Sequence, residues 1–136
     1  GKWGEFANDP VDIFRRSKIN LGIGAVGHSM NLTNVKARDF EVPCTGGGVY
    51  LTQYNADLAQ HFNISREIAC YHNFMDMVEQ VRFLLADDDK RTEMSRLARE
   101  RCLREHRWAH RYIALLKIFG IVSPEVELPL IEGVKT

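Results

Sequence analysis

A chain of 136 residues, 45% hydrophobic and 26% charged, suits one packed domain and is too apolar for disorder. Its 18 basic and 18 acidic residues balance to a formal net charge of +0, so no global basic field points to nucleic acid or an anionic membrane. No apolar run reaches a transmembrane length, and no signal-peptide pattern opens the chain. The first residue is Gly rather than Met, as in a trimmed or partial chain. Cys44, Cys70 and Cys102 are odd in number and widely spaced, which argues against a disulfide framework or a structural zinc site. Reduced thiols in a cytoplasmic protein are the plain reading.

In chain order, residues 9–17 (DPVDIFRRS) predict a short helix with Pro10 in its first turn and Asp9 as its cap. Ile19, Leu21 and Ile23 alternate over 18–24, which suits a strand. A loop and a short helix over 35–44 follow, with Pro43 at a late boundary. The β-branched and aromatic run at 48–54 (GVYLTQY) predicts a second strand. NADLAQHF predicts a short helix capped by Asn55, and EIACYH at 67–72 a third strand.

The remainder is helical. Phe74, Met77, Val78, Val81, Leu84 and Leu85 share one face. Asp87, Asp88 and Asp89 end that helix and start the next, where carboxylates favour the positive end of the dipole. Met94, Leu97, Ala98 and Cys102 form one stripe; Trp108, Tyr112, Leu116 and Phe119 form another. The stripes do not join smoothly, so a break is expected near His106 and Arg107, with Gly120 ending the run. Strands alternating with helices imply parallel pairing through right-handed crossovers. The predicted class is α/β: a partial Rossmann-like parallel sheet of about three strands, flanked by helices, with a long C-terminal helical region.

GIGAVG at 22–27 matches the dinucleotide fingerprint and has Glu41 at the distance of a ribose-binding acid. The fingerprint needs a packed helix next, and HSMNLTNVKA is a poor one. A glycine-rich loop at a strand's carboxyl end, lining a ligand crevice, is the better reading. A dinucleotide-dependent oxidoreductase is thus the third-ranked function.

RDFEVPCTGGGVYLTQYNADLAQHF, followed by EIACYHNFMDMVEQVRFLLADDDKRTEMSRLARERCLREHRWAHR, resembles the nucleotide-sugar-binding half of group 1 glycosyltransferases. The resemblance is nearest to the spore-maturation-like branch and spans about residues 12–116. It implies the GT-B architecture, in which two Rossmann-like domains hold the donor between them. Residues 1–123 would be a Rossmann-like half-domain that binds nucleotide sugar, and 124–136 a tail. The acceptor-binding N-terminal domain would lie elsewhere in the same protein.

By the same resemblance, Glu41 would hold the donor's ribose hydroxyls, as a carboxylate can with charge-assisted bonds. Thr45, Gly46, Gly47 and Gly24 would let backbone N–H groups approach the diphosphate. Lys36 and Arg38 are the nearest basic candidates, and His28, Tyr54 and Asn55 complete the substrate-binding set. No catalytic residue is assigned, no metal and no cofactor are expected, and the donor is the nucleotide diphosphate sugar. Many group 1 enzymes carry a second acid eight positions before this glutamate; here Thr33 stands there. A non-catalytic binding module that keeps the half-fold is the alternative function.

Plainer readings stand beside these. Glu41 could pair with Arg38 at i, i+3 on a helix surface. Gly46, Gly47 and Gly48 could be a helix stop and turn. His106 and His110 have a zinc-compatible i, i+4 spacing, but Arg104, Arg107 and Arg111 crowd them, so surface or cap histidines are expected. Tyr71 and His72 could meet substrate at a strand end. The charged run 87–105 reads as a solvated face laced with ion pairs. Trp108 and Tyr112 read as core anchors, with an interdomain role as the alternative that the resemblance implies.

Overall fold

The computed structural model describes residues 9–27, 29–129 and 131. Helix α1 (Pro10–Arg16) opens on Asp9, whose side chain accepts the Val11 N–H. Strand β1 (Ile19–Leu21) leads into a hairpin of β2 (Ala25–Val26) and β3 (Ser29–Thr33). Helix α2 (Arg38–Cys44), strand β4 (Val49–Gln53), a 3-10 turn (Leu58–Gln60) and strand β5 (Ala69–Tyr71) follow. Three helices complete the chain: α3 (Phe74–Ala86), α4 (Asp88–Glu105) and α5 (Trp108–Ile118).

The main sheet has the order β1-β4-β5, all parallel, as the alternating elements predict. Central β4 is buried along its whole length, so its residues face two cores. Tyr50 joins Phe40, Val42, Phe62, Ile68, Ala98 and Cys102 on one face. Val49 and Leu51 join Ala69, Tyr71, Leu84 and Met94 on the other. Helix α4 supplies residues to both cores and so ties them together.

Three expectations about helix ends hold, each for a local reason. Asp87 closes α3 and caps α4, its carboxylate accepting the Lys90 N–H at 2.8 Å. The helical run breaks at His106 and Arg107. Gly120, at φ +65°, ends α5: its N–H reaches Lys117 O and the Ile121 N–H reaches Leu116 O. The α4 face is laced with ion pairs, among them Arg96 to Glu93 and Glu100, and Arg101 to Glu67 and Glu105.

The structure also corrects several expectations. Residues after β1 form an antiparallel hairpin where the sequence showed only a loop; the helix that a dinucleotide fingerprint requires is absent there, in keeping with the poor helical pattern of HSMNLTNVKA. Helix α2 starts at Arg38 rather than at 35. Asn55 caps no α-helix; its side-chain oxygen accepts the Asp57 N–H in a local turn. Trp108, Tyr112 and Phe119 are 56%, 60% and 69% exposed, so they are not core anchors. Phe74 is likewise 70% exposed, and the buried face of α3 narrows to Met77, Val81 and Leu84.

The glycine run at 46–48 joins α2 to the amino end of β4. Gly46 takes φ +68°, which a side chain disfavours. A Cβ on Gly47 would strike the Arg15 backbone, and one on Gly48 the carbonyls of Ser17 and Lys18. Gly48→Ala is therefore expected to cost about 1–3 kcal/mol, the usual range for overpacking. Urea unfolding measures it; a loss below about 0.5 kcal/mol would contradict this close approach.

Candidate functional site

Ligands of open α/β sheets bind beyond the carboxyl ends of the strands. Here that edge is cross-braced by polar side chains. The buried Asp39 carboxylate accepts the Tyr50 hydroxyl at 2.6 Å and the Lys36 backbone N–H at 2.7 Å. This fixes the start of α2 to central β4. Burial, reinforced by the neighbouring Asp39 charge, raises the Tyr50 pKa and keeps its hydroxyl a donor. Lys36 Nζ then donates to Ile23 O and Ala25 O, at 2.9 and 2.8 Å, holding the loop after β1. The Tyr71 hydroxyl donates to Gly22 O at 2.8 Å from the other side. Asn55 Nδ2 donates to Thr33 Oγ1 at 3.2 Å, which joins the hairpin to the end of β4. Tyr54 and His72 stack above this edge with ring centroids 4.8 Å apart.

Beside α2 lies a cavity of about 190 Å³, lined by Lys36, Phe40, Glu41, Arg107, Trp108 and Arg111, among others. Glu41 sits one turn into α2 and is exposed. Its carboxylate makes no hydrogen bond or ion pair with any described residue, so it is not paired with Arg38. Arg111 lies over the Phe40 ring at 4.4 Å and near Trp108 at 5.6 Å, with no hydrogen bond or ion pair to any described residue. Arg107 Nη2 donates to Pro129 O at 2.9 Å, while its Nε is buried with no acceptor among the described residues. Cys44 and His106 complete one wall.

The candidate residues thus fall into separate groups. Lys36 and Glu41 line the cavity, and Arg38 is exposed in the same first turn of α2. Gly24, Tyr54 and Asn55 lie along the carboxyl edge, with Gly24 packed against Gln53 and Thr33. Thr45, Gly46 and Gly47 stand at the opposite, amino edge, where Thr45 O accepts from Arg15 and Arg99. Ser95 Oγ bonds Gly47 O there. His28 lies outside the described residues.

The histidines of the α4–α5 junction have structural partners. Arg107 N–H donates to His110 Nδ1 at 3.1 Å, which makes His110 the cap histidine that the sequence suggested. His106 Nε2 bonds His61 O at 3.1 Å, and its ring packs against Phe40, Phe62 and His61. Arg107 and Arg111 were not among the sequence's site candidates, and Trp108 was read there as a core anchor rather than a sugar platform. Their signal was available: two arginines four apart on one helical face, with an aromatic between.

The model of the glycosyl transferase-like family matches residues 2–117. The chain belongs to that family, and the match supports a role in glycosyl transfer. Neither a curated protein nor a solved structure matches it significantly. No helix among the described residues is long and apolar enough to cross a membrane.

Burial lowers the His106 pKa below its ordinary 6.5, against the opposing bond to His61 O. The unfolded chain then binds more protons in the window below 6.5, so stability is full above that value and falls as the pH drops through it. His61, Glu105 and Arg101 are the charged neighbours. Thermal unfolding between about pH 7.5 and 5.5 should show this acid loss, reduced in His106→Gln. An identical slope in the variant would contradict the assignment.

Proposed function

We propose that this chain is the donor-nucleotide-binding part of a GT-B, group 1 glycosyltransferase of the spore-maturation-like branch. The complete enzyme would move a sugar from a nucleotide diphosphate sugar to an acceptor held by a second domain. The observation that carries the reading is Glu41: a carboxylate with no partner among the described residues, lining a cavity beside the first turn of α2, in a chain of the glycosyl transferase-like family. In this role it accepts the two ribose hydroxyls. The donor's diphosphate continues from the ribose along the cavity, past the basic side chains that line it. Those cations offset the leaving diphosphate's charge, and the reading needs no resident metal.

Thr33 gives the alternative its support. Its hydroxyl accepts from Asn55 and does not take the place of an acid, which suits a module that binds donor without transferring sugar.

Glu41→Ala should weaken uridine, guanosine or adenosine diphosphate binding by roughly ten- to a hundredfold, the size expected for hydrogen bonds to a charged group. Inorganic pyrophosphate, which has no ribose, should bind as before. Calorimetric titration measures both. Equal losses for pyrophosphate and nucleotide would contradict the ribose role.

A further inference from the structure

We infer that Arg107 and Arg111, at the start of α5, form a diphosphate subsite across the cavity from Glu41. The inference rests on the donor-nucleotide reading above and names the cations that would meet its diphosphate.

The contrast with α4 is the first argument. Arg91, Arg96, Arg99, Arg101 and Arg104 each bond a carboxylate or a backbone carbonyl. Arg111 bonds neither among the described residues, although Glu41 lines the same cavity. Its guanidinium carbon instead lies over the Phe40 ring at 4.4 Å and over Trp108 at 5.6 Å. A cation held over a ring by cation–π attraction keeps its N–H groups available for phosphate oxygens. Arg107 adds the second argument. Arg107 lines the same cavity, where Nη2 bonds Pro129 O at 2.9 Å and its guanidinium meets no carboxylate among the described residues.

Charge and size agree. Lys36, Arg107 and Arg111 place three cations around one carboxylate, and His106 beside them favours its neutral form. A volume of about 190 Å³ falls below the roughly 300–1,000 Å³ of pockets that enclose a whole ligand. It suits a diphosphate with its adjoining ribose, the base lying outside. Trp108, more than half exposed and stacked on Tyr112 at 6.1 Å, stands at the rim where a base would emerge.

The test uses the full 136-residue chain. Inorganic pyrophosphate, uridine and uridine diphosphate are titrated by calorimetry, with the guanosine and adenosine pairs in parallel. Arg111→Gln and, separately, Arg107→Gln should each weaken pyrophosphate and diphosphate binding about tenfold or more and leave nucleoside binding unchanged. Arg111→Lys should recover part of the loss, because it restores charge without the planar fork. Melting temperatures identify which variants remain folded, and either arginine alone suffices for the test. Unchanged diphosphate-over-nucleoside preference in a folded variant overturns the inference and spares the donor reading. Pyrophosphate binding that needs both arginines, with nucleotide binding indifferent to Glu41, keeps the subsite and sinks the ribose role. No binding of pyrophosphate or any diphosphate by the wild-type chain overturns both.

Discussion

The buried Asp39 carboxylate is the constraint on which the rest of the carboxyl edge depends. One oxygen takes the Tyr50 hydroxyl from the central strand, and the other takes the Lys36 N–H just before α2. That pair of bonds sets both the height and the rotation of α2 against the sheet. Lys36 can then reach back to two carbonyls of the loop after β1, and Glu41 is carried to the flank that faces α5. Removing either donor would leave a buried carboxylate oxygen unmet, which is costlier than the bond is valuable. The site and the fold therefore share one polar anchor rather than resting on apolar packing alone.

Gly22 belongs to the same construction. A Cβ there would run into the Tyr50 hydroxyl and Thr52 Oγ1, so the loop must pass over central β4 as bare backbone. The Tyr71 hydroxyl holds that backbone from the β5 side. The segment that matches a dinucleotide fingerprint thus owes at least one of its glycines to strand packing. Gly47 and Gly48 tell a parallel story at the other edge, where the chain's own backbone at 14–18 takes the space. A sequence cannot separate these cases from a phosphate loop, because every close approach to backbone demands the same missing side chain.

Much of the architecture was legible for physical reasons. The run VYLTQ has the composition of a doubly covered strand, and Asp87 has the residue type and position of a shared cap. The α4–α5 break followed from two apolar stripes out of phase. The hairpin was not legible, because β2 has only two residues and such a span carries no period. The exposed stripe of α5 was misread for a related reason: periodicity shows which residues share a face, not whether anything covers it. Glu41 is singled out in the sequence only by the family-like series around it. Its neighbours Arg107, Trp108 and Arg111 lie some 70 positions away in sequence and meet it only through the packing of α5 near α2.

The central claim is that Glu41 and the first turn of α5 face one donor nucleotide from opposite sides of a single cavity. A crystal structure of the chain with uridine, guanosine or adenosine diphosphate tests it most directly. The account predicts the ribose hydroxyls on the Glu41 carboxylate and diphosphate oxygens on Arg107 and Arg111. A nucleotide seated elsewhere, with the cavity beside α2 unchanged, would contradict it.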